Sequence, residues 1–298
     1  MSSIPTYVMG TQGFASAWTQ NNIFALVDRL DAAGITHYDT ALLYPVTDSG
    51  ASEKLLGSIR KPEYVIDTKI LFRPGALSRE RMEESIHRNL ANLGVAKITT
   101  LYAHAPDKTT PIAEQAANFN YFRYIIPTVY QGQYNIFCRH YETQLFPLLR
   151  QHGIKFVANS PLAGGFATAK LTFAQDAEQL RGTRFEQREG NLMGYLFRMW
   201  YDKPVFHNAV RELAVGVDGF DGVSSLAQAA VRWLLFHSGL QGTDIVAIGP
   251  TGVAQLEEYL AARQAGPLPG ELVRLIDGLY KPLREEAAGL VEVGWWST

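Results

Sequence analysis

Four polar residues stand just past strand-like runs. Asp39 follows Thr36-His37-Tyr38, and Tyr44 lies five residues further on. Lys69 closes Val65-Ile66-Asp67-Thr68-Lys69, and His104 follows Leu101-Tyr102-Ala103. Their types make chemical sense as a set. A tyrosine hydroxyl ionises near pH 10, too high for a good acid at neutral pH. A neighbouring ammonium favours the phenolate and lowers that value. Asp39 can hold the Lys69 ammonium by a charge-assisted hydrogen bond. His104 can donate a hydrogen bond to a carbonyl oxygen and orient it. Together they would protonate the oxygen of an aldehyde or ketone while a hydride arrives from a cofactor. Each alone has an ordinary reading: rim packing for Tyr44, a turn or cap for Asp39, a solvated Lys69, a loop histidine at 104. Their joint placement on consecutive strand ends is what points to chemistry.

The elements that must position them alternate. Strand-like runs are Val8-Met9-Gly10, Thr36–Leu42, Tyr64–Ile70, Ile98–Ala103, Ile126–Tyr130, Lys155–Ala158 and Asp244–Gly249. Helical spacing of apolar residues marks Asn22–Ala33, Ser52–Ile59, Pro111–Ala117, Tyr141–Gln151, Leu226–His237, Val253–Gln264 and Leu272–Leu290. Ser78–Leu93 is the clearest helix. Ser78 is placed to cap it, Met82, Ile86 and Leu90 repeat every four residues, and Gly94 ends it. From Gly164 to Gly222 the rhythm breaks in a stretch rich in Gly, Arg and aromatics, with no strong strand. Alternation of this kind implies parallel strands with right-handed crossovers. The first strands recur at about 30 residues, one βαβ unit apiece. In an α/β barrel, the C-terminal ends of strands converge on one mouth, where active sites lie. A closed (β/α)8 barrel needs eight such strands with matching tilt and shear. The count reaches seven strands rather than eight, because His104 to Val129 has room for one helix and one strand only.

Composition narrows the function classes. The 298 residues carry 27 Lys and Arg against 29 Asp and Glu, a net charge of −2 that offers no field for nucleic acid or anionic membrane. Hydrophobic residues at 47% and charged residues at 19% are globular values, enough for one large barrel domain over 1–298. The single cysteine, Cys138, excludes an intramolecular disulfide framework. Met1-Ser2-Ser3-Ile4-Pro5-Thr6 lacks the basic and apolar regions of a signal peptide, and the chain reads as cytoplasmic. A small-molecule partner remains, with the protein as monomer or homodimer and no metal.

Longer motifs then carry a resemblance. Asp39-Thr40-Ala41 with Tyr44, Gly50-x-Ser52-Glu53 with Leu56-Gly57, Thr68-Lys69 and His104-x-Pro106-Asp107 are similar to those of the aldo-keto reductase family. Pro127-Thr128-Val129-Tyr130-Gln131-Gly132-x-Tyr134-Asn135, Glu142-x-x-Leu145-Phe146-Pro147 and Ser160-Pro161-Leu162-Ala163-Gly164-Gly165 resemble its aflatoxin-aldehyde-reductase-like branch. So does Arg232-Trp233 with His237-Ser238-x-Leu240-Gln241-Gly242. The resemblance covers nearly the whole chain. It implies a TIM (β/α)8-type barrel, here incomplete or modified around the fifth strand, together with NADPH, carbonyl reduction, and Asp39, Tyr44, Lys69 and His104 as the catalytic tetrad with Tyr44 as proton donor. It also implies that Gln131 bonds the nicotinamide carboxamide and that Ser160, Leu162 and Gly164 line the pyrophosphate. Lys170 and Arg184 would neutralise phosphate. Gly249, Thr251, Gln255 and Glu258 would face the adenosine end, with the helix from Val253 presenting its positive end to an anion.

The chain departs from the family pattern in three places. The segment between His104-x-Pro106-Asp107 and Pro127 is short by one βα unit, the stretch where relatives hold the carboxamide with Ser and Asn. Asn159 stands where relatives place an aromatic ring on nicotinamide. Tyr259 replaces a common Asn near adenine, and no arginine flanks Thr251, so a 2′-phosphate clamp is not visible and NADH stays open beside NADPH. These departures leave two further readings: a tetrad reused for cofactor-independent enolisation, dehydration or cyclisation, and a non-catalytic binding protein. Ala103, Ala105 and Asn159 point to a roomy pocket and a bulky carbonyl of secondary metabolism.

Overall fold

The computed structural model describes residues 3–122 and 127–292. By contacts the chain divides into two units. The first comprises Tyr7–Thr128 and Ala247–Leu256, the second Met1–Thr6, Val129–Val246 and Glu257–Thr298.

In the first unit, strand and helix alternate strictly. They run β1 (Thr6–Gly10), α1 (Ile23–Ala32), β2 (His37–Asp39), α2 (Ala51–Ile59), β3 (Val65–Lys69), α3 (Arg79–Leu93), β4 (Thr100–Tyr102) and α4 (Ile112–Tyr121). The strands lie parallel in the order β4-β3-β2-β1. Met9 pairs Tyr38, Asp39 pairs Asp67, and Lys69 pairs Tyr102. Helices cover the sheet because each βαβ crossover returns over it. The apolar repeat of α1 buries Ile23, Leu26, Val27 and Leu30. The α3 repeat buries Met82, while Ile86 and Leu90 pack half-buried against the cluster of Ile70, Leu77 and Leu101. Gly94 ends α3 in the left-handed conformation at φ 62°, as its spacing implies.

In the second unit the elements are β5 (Val129–Gln133), α5 (Leu145–Gln151), β6 (Lys155–Asn159), α6 (Lys170–Phe173), α7 (Leu192–Tyr201), α8 (Pro204–Asp218), α9 (Leu226–Phe236), β7 (Ile245–Ile248), α10 (Val253–Gln264) and α11 (Gly270–Glu292). Here β5, β6 and β7 are parallel, with β6 between the other two. β7 and α10 each run across the division of the chain. Buried Asp244 ties the unit together, accepting from both Arg150 guanidinium nitrogens and from the Phe156 and Gln241 N–H groups.

Seven parallel strands alternate with helices among the described residues, the (β/α)-barrel pattern short of one strand. Among the described residues between β4 and β5 stands one helix, α4, which agrees with the spacing. The strand expected over Ile126–Tyr130 is β5; its first position, Ile126, lies outside the described residues.

Two expectations need correction. Ser78 occupies the N-cap of α3, but its side chain accepts no cap hydrogen bond. Asp107 braces the entry instead, accepting from the Gly75 and Leu77 N–H groups. The stretch from Gly164 to Gly222 is not irregular throughout. It carries α7, capped by the Asn191 side chain onto the Gly194 N–H, and α8, opened by Pro204.

Candidate active site

Asp39 and Lys69 end neighbouring strands with side chains on one face of the sheet. The Lys69 ammonium lies 2.8 Å from each Asp39 carboxylate oxygen and 2.8 Å from the Thr40 carbonyl oxygen. Both residues are buried. Burial alone would lower the ammonium's proton affinity. The Asp39 charge, and after it Tyr44, outweighs that and holds Lys69 above its ordinary value. The cation is therefore permanent at neutral pH.

Tyr44 follows in a turn closed by its N–H on the Ala41 carbonyl at 3.0 Å. Its own carbonyl accepts the Ser52 N–H at 3.1 Å, at the start of α2. Ser52 in turn donates to the Thr11 carbonyl at 2.9 Å, so the loops after β1 and β2 are pinned to one helix. The Lys69 Nζ sits 5.4 Å from the Tyr44 ring centroid. The His104 ring meets the Tyr44 ring edge-on at 5.5 Å. Burial, then the Lys69 charge, lowers His104 from 6.5 to about 3. The imidazole is therefore neutral at physiological pH, a form that can give or take a hydrogen bond. All four residues picked from the sequence thus converge within one unit.

A polar layer behind this group escaped the sequence reading. Glu53 is fully buried on α2 and accepts from Thr68 Oγ1 at 2.7 Å, Asn89 Nδ2 at 2.6 Å and Asn92 Nδ2 at 3.1 Å. Burial pushes its carboxyl up, while the three donors pull it back. Thr68 carries this network on the face of β3 opposite to Lys69. His37 and Asp67, 2.7 Å apart, form a second pair on the same strands as Asp39 and Lys69. The signal was the period-two spacing of His37 with Asp39 and of Asp67 with Lys69.

The remaining candidates divide between the units. In the second, Gln131 lies on β5, and its Nε2 is buried with no hydrogen-bond partner among the described residues. Ser160, at φ 53°, opens the turn after β6, and Asn135 Nδ2 donates to its carbonyl at 3.0 Å. Leu162 and Gly164 follow, Gly164 at φ 68°. A side chain at Gly164 would overlap the Phe197 ring, so this glycine makes room for α7 rather than for an open approach. The Arg184 guanidinium covers that ring at 4.8 Å, and its charge acts on Tyr259, next to Glu258 on α10. Lys170 starts α6 and is exposed. In the first unit, Gln255 Oε1 accepts from the Thr251 N–H at 2.8 Å and is 3.2 Å from its hydroxyl. A donor at the start of α10 is thus taken by the chain itself. Gly249 has nothing within 4 Å of where a Cβ would stand. The buried donor at Gln131 fits an amide acceptor such as the carboxamide of a nicotinamide nucleotide. Among the described residues no group of three His, Cys, Asp or Glu is placed to hold a metal ion.

The aldo/keto reductase family model matches residues 7–124 and 121–281, and the chain belongs to that family. Membership makes it an oxidoreductase by class. It is 30% identical to aflatoxin B1 aldehyde reductase member 2 of Rattus norvegicus, over 95% of this chain and 86% of that one. It is 31% identical to oxidoreductase sirO of Leptosphaeria maculans, over 95% and 96%. The holo form of aldo-keto reductase AKR11C1 from Bacillus halodurans superposes with a TM-score of 0.67 at 19% identity, covering 94% of this chain and 97% of that one. The fold is therefore that of the family. The family match breaks into two stretches that meet at 121–124, where the spacing is one βα unit short. The rat alignment runs 323 positions on 95% of a 298-residue chain, leaving about 40 positions with no residue here, on the scale of one such unit. No helix among the described residues is long and apolar enough to cross a membrane.

Proposed function

We propose that the chain reduces an aldehyde or ketone to an alcohol with NADPH, with Tyr44 giving the proton. The observation that carries this reading is the buried Lys69 ammonium, fixed by Asp39 and 5.4 Å from the Tyr44 ring centroid. NADPH, when bound, supplies the hydride. Gln131 would hold the carboxamide through its Nε2, which has no hydrogen-bond partner among the described residues. Ser160, Leu162 and Gly164 would flank the pyrophosphate, Lys170 and Arg184 would balance its charge, and Gly249, Thr251, Gln255 and Glu258 would border the adenosine end.

The chain's own residues then do the acid–base work. Neutral His104 donates a hydrogen bond to the substrate carbonyl oxygen and fixes its direction. Tyr44 moves its phenol proton to the same oxygen as negative charge grows there. The Lys69 ammonium stabilises the phenolate left behind, and Asp39 keeps Lys69 in place. Fungal relatives such as sirO and the aldo-keto reductase pigE of Monascus ruber support a substrate from secondary metabolism. The protein would act in the cytoplasm as a single barrel domain, on a small molecule, as monomer or homodimer. Titration with NADPH and NADH against intrinsic tryptophan fluorescence tests the reading. Quenching by either is the expected result, and none at millimolar nucleotide would end it.

Asn159 favours a second reading. An amide at that position gives nicotinamide no stacking surface. The same tetrad could then enolise or dehydrate a carbonyl compound unaided. Turnover without nucleotide, lost in Tyr44→Phe, would establish it.

A further inference from the structure

On β2 and β3 the carboxylates Asp39 and Asp67 stand directly opposite each other. Two like charges so placed repel, and more strongly when buried. Each is met diagonally by a basic side chain from the other strand: Asp39 by Lys69 at 2.8 Å, Asp67 by His37 Nε2 at 2.7 Å. Four ionisable groups thus form two crossed pairs on one face of the sheet. The second pair is not a surface decoration. Asp67 is buried, and its Oδ1 has no hydrogen-bond partner among the described residues. An unmet carboxylate oxygen of this kind spreads its field to the nearest charges.

Two of those charges, Asp39 and Lys69, belong to the tetrad. Facing Asp67 are His37 and Asp39 from β2 and Lys69 from its own strand. Beyond Lys69 lie Tyr44 after β2, Tyr102 on β4 with its ring centroid 5.5 Å from the Lys69 Nζ, and His104 after β4. From β1, Gly10 pairs with Asp39 and carries no charge. The Asp67 charge is among those that hold the Lys69 ammonium up.

We propose that Asp67, paired with His37, is a positioning residue for the tetrad: its carboxylate competes with Tyr44 for the field of the Lys69 ammonium and so sets how readily Tyr44 releases its proton. This rests on the reading of Tyr44 as the acid. Asp39 anchors Lys69, while Asp67 balances it. Without Asp67 more of the ammonium's field falls on Tyr44, which then ionises at lower pH.

The test is NMR titration of carbon-labelled tyrosine, with the Tyr44 signal assigned by its loss in Tyr44→Phe. Asp67→Asn should lower the Tyr44 titration midpoint by about one pH unit, and Asp67→Glu should restore it. His37→Lys, which places a fixed cation on Asp67, should move it in the same direction and serves if Asp67→Asn does not fold. An unmoved midpoint in a folded Asp67→Asn or His37→Lys protein overturns the proposal. The signal needs no nucleotide or substrate, so it decides the inference even if the wild type reduces nothing, a result that would count against the functional reading alone. Where the wild type does turn over, the basic limb of kcat against pH should shift with the midpoint while KM stays unchanged.

Discussion

The Lys69 ammonium places three protons on three oxygens, two from Asp39 and one from the Thr40 carbonyl, each at 2.8 Å. The cation is buried, and the rings of Tyr44 and Tyr102 lie 5.4 and 5.5 Å from its Nζ. A buried pair of this kind costs desolvation on both sides and returns it only while intact.

Lys69→Met should therefore destabilise the fold by about 3–5 kcal/mol, because Asp39 is left as an uncompensated buried carboxylate. Asp39→Asn combined with Lys69→Met should recover part of that loss. Chemical denaturation of the single and double variants measures both. A single variant as stable as wild type would mean that the pair is solvated.

Acid should unfold the protein partly through His104. Its folded value, about 3, lies below the 6.5 of the unfolded chain. The unfolded state therefore binds a proton first as pH falls. Stability from this group is whole above pH 6.5 and is lost progressively down to about 3, at up to about 1.4 kcal/mol per unit. Melting temperature against pH should be flatter in that window for His104→Gln. Equal slopes would show that His104 is solvated in the fold.

Gly164→Ala should destabilise by about 1–3 kcal/mol, through overlap with the Phe197 ring and a backbone at φ 68°. Pairing it with Phe197→Ala should remove the overlap but not the backbone strain. A double variant more stable than Phe197→Ala alone would contradict this account.

Gln131→Leu should weaken nicotinamide nucleotide binding about tenfold, the value of one lost hydrogen bond to a buried partner. Thermal stability should not fall, since the Gln131 Nε2 has no hydrogen-bond partner among the described residues. Fluorescence titration and thermal unfolding of the same preparation read the two effects separately.

Much of this architecture was legible in the chain because its rules are local. Period-two strands, a four-residue repeat in α3 and Gly94 just past it fix elements without reference to anything distant. The tetrad was legible because strand ends in an α/β barrel share one mouth, so position along the chain becomes position in space. The missing βα unit showed as a spacing. What stayed hidden depends on tertiary partners. Ser78 has the residue type of a cap, yet Asp107, thirty positions beyond Leu77, braces that entry. The helices α7 and α8 carry Gly194 and Gly216, which blur the helical signal, and Gly194 is needed where Asn191 and Arg184 approach. Glu53 was quoted as part of a motif, but its burial among Thr68, Asn89 and Asn92 required α2 and α3 to meet. The crossing of His37 and Asp67 over Asp39 and Lys69 required the strand register itself.

The most direct measurement is the loss of nicotinamide absorbance when the purified protein meets NADPH and an aromatic aldehyde, compared between wild type and Tyr44→Phe. The account predicts aldehyde-dependent oxidation by the wild type and a fall in kcat of about 10²–10⁴-fold in the variant, with nucleotide binding intact. Oxidation at equal rates in both, or tight nucleotide binding by a wild type inactive across aldehydes and ketones, would contradict it.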